Sequence, residues 1–184
     1  MATTEIKFGG LGGQGVVLAG MIVGKAAALF DQKDSAMTQA FGPEARGSAC
    51  SSQVIVSDQR ILYPYVSKPQ ILVVMSQDAY NKFVPEMAPD GMLLIEEELV
   101  KVDQLPKGIQ LYGIPATRLA EELGRKMVLN IVMVGFFTAV TRLVGEEATR
   151  KAVADSVPPN TVELNVKAFE KGLEYGKRLR AERM

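Results

Sequence analysis

The sequence predicts an α/β fold of three layers, in which a mostly parallel sheet carries an appended β-hairpin and the C-terminal third is helical. Three observations support this. Strand-like apolar runs alternate with helix-like runs over the first two thirds of the chain. One run, Ile71-Leu-Val-Val-Met-Ser76, is continuous and rich in branched side chains, as expected for a central strand of a parallel sheet. A glycine loop joins the first strand to the first helix, which is typical of Rossmann-like folds.

The same patterns give the elements in order. Predicted strands cover residues 4–8, 34–38, 53–57, 71–76, 91–95 and 110–114. Residues 53–57 and 61–63 are predicted to form the hairpin around the turn Ser57-Asp-Gln-Arg60. Predicted helices cover residues 16–30, 78–84, 115–124, 126–144 and 146–157. The last helix follows Pro158-Pro159, where Asn160 and Glu163 have the spacing of a capping box. With no repeat or linker, we expect one domain over residues 1–184.

Composition excludes several function classes. The 21 basic and 21 acidic side chains cancel, which argues against a nucleic-acid or membrane-surface partner. There is no His, so the usual general base and zinc ligand are missing. The single cysteine, Cys50, cannot form an intrachain disulfide or hold an iron–sulfur cluster, and we expect a small buried residue rather than a reactive thiol. No signal peptide is evident, and polar residues interrupt the apolar run 127–143, so a cytoplasmic protein is expected.

The glycine loop has a physical mechanism. Gly10, Gly12 and Gly15 have the G-x-G-x-x-G spacing, and a helix is predicted to begin at Val16. Such glycines let backbone N–H groups approach an anion at a helix N-terminus. A dinucleotide site also needs a carboxylate at the end of the second strand, and Met37-Thr38-Gln39 has none. Another phosphate-bearing ligand, or close packing without a ligand, therefore remains open. The small residues Ala19, Gly20 and Gly24 are predicted to let the first helix pack closely on the sheet.

The loop after the second predicted strand, residues 38–52, is the other informative stretch. It leaves the sheet at the same edge as the glycine loop, where ligands bind in open α/β sheets. Arg46 could bind a phosphate or carboxylate, with Glu44 orienting its guanidinium. The alternative is a surface turn with a local Glu44–Arg46 pair, and the residues alone leave both open.

The chain resembles the gamma subunit of the 2-oxoacid:ferredoxin oxidoreductases, most closely the 2-oxoglutarate members. The resemblance rests on Gly10-Leu-Gly-Gly-Gln-Gly15, on Thr38-Gln39 with Gly42-Pro-Glu-Ala-Arg-Gly47, and on Asn130 followed by Gly135. It covers nearly the whole chain as one gamma-type domain. Ser48-Ala49 departs from the family, where a second glycine is common.

The resemblance implies a hetero-oligomer that oxidatively decarboxylates a 2-oxoacid, with 2-oxoglutarate as the implied substrate, to an acyl-coenzyme A and reduces ferredoxin.

 It implies that thiamine diphosphate, magnesium and iron–sulfur clusters belong to alpha and beta partner subunits, or to these and a delta subunit. It also implies that this chain contributes coenzyme A binding and assembly. The residues implied to bind the cofactor share the two glycine-rich motifs and the apolar helix: Gly10, Gly12, Gly13, Gln14, Gly15, Val16, Glu44, Arg46, Gly47 and Asn130. The alternatives are a structural subunit without ligand contact and a stand-alone nucleotide-binding dehydrogenase.

Three other features of the sequence each allow two interpretations. Asn130, a polar residue in an apolar helix, either caps a neighbouring loop or faces ligand. Arg125 and Lys126 are either solvated charges or phosphate ligands. The aromatic pair in Tyr63-Pro-Tyr65 packs either in the core or against a partner subunit.

Overall fold

The computed structural model describes residues 3–41 and 48–184. Their six strands are β1 (Thr3–Leu11), β2 (Asp34–Ala40), β3 (Ala49–Ser57), β4 (Ile71–Val74), β5 (Met92–Glu96) and β6 (Gln110–Ile114). Their six α-helices are α1 (Val16–Lys25), α2 (Gln77–Phe83), α3 (Ala116–Glu122), α4 (Leu129–Thr141), α5 (Glu146–Ser156) and α6 (Val162–Arg183). A π-helical turn, Ala26–Phe30, extends α1. The predicted roles of Glu44, Arg46 and Gly47 fall outside the described residues.

The strands form one sheet in the order β2-β3-β1-β4-β5-β6. Strands β1, β4, β5 and β6 are parallel, whereas β3 is antiparallel to both of its neighbours, β1 and β2. The mostly parallel sheet is therefore confirmed. Helix α1, which follows β1, packs on one face of the sheet, and helix α2, which follows β4, packs on the other face. The carboxyl ends of β1 and β4 thus flank a topological switch point, where open α/β sheets bind ligands.

The appended hairpin exists, but its strands are not the predicted ones. It is β2 that pairs with β3, with Asp34 opposite Ser57 and Ala40 opposite Ser51. Residues 61–63 form no strand. The physical reason is that β1 and β2 already occupy both edges of β3, which leaves no hydrogen-bonding edge for residues 61–63.

Helices cover both faces of the sheet, which confirms the three layers. Successive residues of β1 point to opposite faces. Phe8 packs on α4, where its ring lies 5.5 Å from that of Phe137. Gly9 faces α2, because a Cβ at Gly9 would come within 2.7 Å of the Phe83 ring. Helix α1 lies close to β3 because Gly20 has no side chain: a Cβ there would lie 2.3 Å from Ser52 Oγ. At Gly24 the helix also contacts the sheet, since Ser35 Oγ donates to the Gly24 carbonyl at 2.8 Å, but a Cβ there would meet its nearest atoms at an ordinary 3.7 Å.

Helix α4 is the central helix of the larger layer. Its residues from Leu129 to Val140 are all buried, so its apolar sequence reflects the protein core. Helix α6 crosses it closely enough for backbones to touch: a Cβ at Gly172 would lie 1.9 Å from the Val132 carbonyl oxygen. Within the described residues, no helix is long and apolar enough to cross a membrane.

The capping box predicted for the last helix is wrong. Helix α6 begins at Val162 after a 3₁₀ turn, Pro159–Thr161, and no side chain caps it. Asn160 lies within that turn, and the Glu163 carboxylate instead accepts a hydrogen bond from Lys167 Nζ at 2.9 Å. The turn that Pro159 starts moves the beginning of the helix past Asn160 and so removes the spacing that the box requires.

Candidate functional site

The glycine loop follows β1 at the switch point, and the Gln14 side chain holds its shape. The Leu11 N–H donates to Gln14 Oε1 at 2.7 Å, and Gln14 Nε2 donates to the Met75 carbonyl at 2.9 Å. These bonds tie the loop to the end of β4. Gly10 makes room for them, since a Cβ there would lie 2.7 Å from Gln14 Oε1 and 2.8 Å from Val16 Cγ2. Gln14 therefore fixes the conformation of the loop, and Gly10 leaves the space that the Gln14 side chain needs.

Asn130 holds the far end of the loop. Its Nδ2 donates to the Gly15 carbonyl at 3.2 Å, so the interpretation of Asn130 as a loop cap is confirmed. Gly15 has φ 74° and ψ 29°, a left-handed conformation that favours glycine. A Cβ at Gly15 would also lie 2.2 Å from Asn130 Nδ2. Both the backbone angle and the contact with α4 therefore require glycine here.

The loop leaves the N-terminus of α1 available to an anion. The first N–H groups of a helix have no partner within the helix, and none of the side chains in residues 3–41 and 48–184 caps α1. No acidic residue lies in its first turn. Gly12 and Gly13 in front of it are exposed, and Gly13, at φ 93°, has no atom within 4 Å of a Cβ position. The backbone thus presents free donors and a positive dipole end to an open space.

A cleft of 450 Å³ lies beside this loop. Its lining combines loop backbone with apolar side chains: Leu11, Gly12, Gly13, Gly15, Val16, Val17, Leu18, Phe41 and Cys50. Cys50 is buried, as predicted, and burial raises the pKa of its thiol. The side chain of Phe41 is 70% exposed, and it was not singled out in the sequence because one aromatic residue after a strand carries no periodic signal.

The end of β2 and the start of β3 lie beside this cleft. Ala40 at the end of β2 pairs with Ser51, and Ala49 at the start of β3 pairs with Leu11 at the end of β1. The residues that flank the Gly-Pro-Glu-Ala-Arg-Gly motif, Phe41 and Ser48, therefore lie at the same edge of the sheet as the glycine loop, as the sequence predicted.

Sheet order explains why the loop lacks the carboxylate of a dinucleotide site. In that site the acidic residue ends the strand beside β1. Here the strand beside β1 is β3, which runs the other way and begins, at Ala49, next to the loop. The second strand along the chain, β2, lies one position further out. No strand of this sheet ends where the ribose carboxylate would stand.

Two further groups complete the surroundings. Ser52, buried in β3, donates to the Val16 carbonyl at 2.7 Å and anchors the start of α1, a role that sequence reasoning missed. Arg125 and Lys126 are exposed in the turn that precedes α4, and within the described residues neither side chain has a hydrogen bond or ion pair. Residues 3–41 and 48–184 contain no group of three His, Cys, Asp or Glu side chains placed to hold a metal ion.

Comparison with known proteins identifies the family. The sequence pattern of the family described as "Pyruvate ferredoxin/flavodoxin oxidoreductase" matches residues 5–175. The 2-oxoglutarate synthase subunit KorC of Methanocaldococcus jannaschii is 48% identical over 177 residues, which cover 95% of this chain and 95% of that protein.

Two solved structures are similar in fold. The keto/oxoacid ferredoxin oxidoreductase gamma subunit from Geobacter sulfurreducens PCA has a TM-score of 0.82 at 39% identity, covering 94% of this chain and 98% of that one. The 2-oxoglutarate:ferredoxin oxidoreductase from Magnetococcus marinus, described with 2-oxoglutarate, coenzyme A and succinyl-CoA bound, has a TM-score of 0.85 at 20% identity, covering 97% of this chain and 32% of that one. The chain therefore belongs to the pyruvate ferredoxin/flavodoxin oxidoreductase family, as the gamma subunit of a 2-oxoacid:ferredoxin oxidoreductase complex.

Proposed function

We propose that this subunit contributes coenzyme A binding to a complex that converts 2-oxoglutarate to its acyl-coenzyme A while reducing ferredoxin. The observation that carries the proposal is the uncapped N-terminus of α1 behind two exposed glycines, at the edge of the 450 Å³ cleft. The KorC name supports 2-oxoglutarate as the substrate. In this proposal thiamine diphosphate, magnesium and iron–sulfur clusters are held by alpha and beta subunits, or by these and a delta subunit.

The phosphate groups of coenzyme A suit this backbone. Amide groups of Gly12, Gly13 and the first turn of α1, from Val16, would donate to phosphate oxygens. Gln14 and Asn130 would act indirectly, because their amide groups are already bonded within the protein and hold the loop in its binding shape. Arg46, with Glu44 beside it in the motif and Gly47 after it, would supply the charge partner.

Steady-state kinetics of the complete complex tests the proposal. Arg46→Ala is expected to raise the KM for coenzyme A about tenfold or more, the range for loss of a hydrogen bond to a charged group. The kcat at saturating coenzyme A should change little. Arg60→Ala is the matched control, because Arg60 follows β3 at the opposite end of the sheet and lies away from the cleft. An unchanged KM for coenzyme A in Arg46→Ala would contradict the charge-partner role.

A structural subunit without ligand contact is the second candidate, and the packing of Gly10, Gln14, Gly15 and Asn130 favours it, since those contacts explain these residues without a ligand. Gly12→Ala separates the two candidates, because Gly12 is exposed and its φ lies outside the left-handed region, so alanine fits its backbone. Coenzyme A binding predicts a raised KM in this variant with the complex intact. The structural candidate predicts an unchanged KM.

A further inference from the structure

A second cavity, of 240 Å³, lies at the other end of α4. Its lining comes from the C-terminal end of α4, the start of α5 and the last turns of α6: Ala139, Arg142, Glu146, Lys177, Arg180, Ala181 and Met184. Asn130, which holds the glycine loop, and Arg142 are separated by twelve residues, about 18 Å along a helix at 1.5 Å per residue. This cavity is therefore separate from the cleft of the proposed coenzyme A site.

Positive charge predominates in the cavity. Three cationic side chains line it against one carboxylate, that of Glu146. Lys177 Nζ donates to Glu146 at 2.7 Å, and the Arg180 guanidinium donates to the Ala139 carbonyl at 3.3 Å. The neighbouring Asp31 carboxylate accepts the Gly145 N–H at 2.6 Å and does not line the cavity. Within the part of the chain that the structure describes, the side chains of Arg142 and Arg180 thus form no ion pair.

Arg142 is the least compensated of the three. In the described parts of the chain, its side chain has no hydrogen bond and no ion pair. Its backbone, at φ 53° and ψ 22°, is left-handed at the end of α4, a position that usually takes glycine. The chain does use glycine after α3, where Gly124 has φ 85°. At the end of α4, the unpaired Arg142 occupies this left-handed conformation, which is less favourable for arginine than for glycine.

We propose that this cavity binds the phosphate group of a small, multiply charged anion. Arginine presents a planar set of donors that matches phosphate oxygens, and lysine adds a mobile positive charge. The volume is below that of pockets for drug-sized ligands and suits a small anion. The site goes beyond the proposed coenzyme A function, because it uses none of the same residues.

Titration of the full chain with inorganic pyrophosphate, followed by ¹H–¹⁵N NMR, tests the site. The amide signals of Arg142, Gly145, Glu146 and Lys177 are expected to shift with saturation. Shifts confined to the glycine loop and the start of α1 would overturn this inference and leave the proposed function intact. Equal shifts with sodium chloride at matched ionic strength would also overturn it, because they would reflect screening alone. Tighter binding of citrate than of pyrophosphate would overturn the assignment to phosphate.

Variants at Arg142 separate binding from folding. Arg142→Gly is expected to weaken pyrophosphate binding at least about tenfold. It should also raise the melting temperature by about 2–4 °C, because glycine suits the left-handed backbone. Arg142→Lys should retain most of the binding. Arg178→Ala is the matched control, since Arg178 lies on α6 between Lys177 and Arg180, packs over the Tyr175 ring and does not line the cavity. Undiminished binding in Arg142→Gly would overturn the proposal.

Discussion

Single polar side chains around the glycine loop bond to backbone groups, and these bonds fix the shape of the loop. The Gln14 side chain accepts a hydrogen bond from the Leu11 N–H and donates one to the Met75 carbonyl. The Asn130 side chain donates one to the Gly15 carbonyl. Buried polar groups cost free energy unless they are paired, so each bond also fixes the backbone atom that it reaches. The loop is therefore shaped before any ligand arrives.

The burial of Cys50 can be tested by measuring how fast its thiol is alkylated, because it is the only cysteine in the chain. Burial raises the pKa of its thiol, so less thiolate is present at a given pH, and thiolate is the reactive form. We expect alkylation by iodoacetamide at pH 8 to be at least about tenfold slower in the folded chain than in urea. The rate in the folded chain should rise with pH as it passes through the raised pKa.

Mass spectrometry of the alkylated chain gives these rates. The double variant Cys50→Ser/Ser67→Cys is the control, since Ser67 is exposed, and it should react at the same rate folded or unfolded. Equal rates for folded and unfolded wild-type chain would contradict the prediction.

At the scale of elements, the crossing of α4 and α6 depends on a pair of glycines. A Cβ at Gly135 would lie 2.1 Å from the Phe169 carbonyl oxygen, and one at Gly172 would lie 1.9 Å from that of Val132. The clashing atoms are backbone atoms, which cannot move aside by rotating a side chain. Because α4 also carries Asn130, the position of this crossing helps to set the position of the glycine loop.

Gly172→Ala is expected to destabilise the chain by about 3 kcal/mol or more, because overpacking against backbone forces the helices apart. Gly24→Ala is the matched control within a helix: its Cβ would meet only ordinary contacts at 3.7 Å. That variant should gain about 0.5–1 kcal/mol from helix propensity. Urea unfolding followed by circular dichroism measures both, and a stable Gly172→Ala chain would show that the helices can separate at low cost.

At the scale of the whole molecule, exposed aromatic side chains lie at both ends of the sheet. Phe41 lies at the end that carries the glycine loop. Leu62, Tyr63 and Tyr65 lie beyond β3 at the opposite end, with the two tyrosine rings 5.3 Å apart. The core-packing interpretation of Tyr63 and Tyr65 is therefore wrong, and packing against a partner subunit stays a prediction.

The double variant Tyr63→Ser/Tyr65→Ser tests that prediction. Because both rings are exposed, we expect the free chain to change in stability by less than about 0.5 kcal/mol. Co-purification with the partner subunits should fall, since aromatic side chains are common anchors of interfaces. Leu99→Ser, at another exposed apolar residue, is the control. Undiminished co-purification of the double variant would rule out this anchor.

The sequence predicted the features that depend on local pattern. Central strand β4 and the helix start at Val16 follow from apolar runs and glycine spacing, which act over a few residues. The insertion of β3 between β1 and β2 was not predicted, because strand order depends on pairing between distant residues. The close contact between Gly135 and helix α6 was not predicted for the same reason, because no spacing within either helix reveals which helix packs against it.

The candidate site was predicted in part for a similar reason. The spacing Gly10, Gly12 and Gly15 located the loop, and Asn130 stood out as a polar residue in an apolar helix. Phe41, Ser52 and the Met75 carbonyl were missed, since an isolated side chain or a backbone carbonyl gains its role only once the strands are placed.

Strand β2 has a practical consequence for preparing this protein. It is the outer strand of the sheet, and after Asp34 it reads Ser-Ala-Met-Thr-Gln-Ala without a charge. An uncharged outer strand offers unpaired backbone groups to any other extended chain. We therefore expect recombinant chain made alone at high concentration to self-associate through β2, and co-expression with its partner subunits to be the better route to usable material.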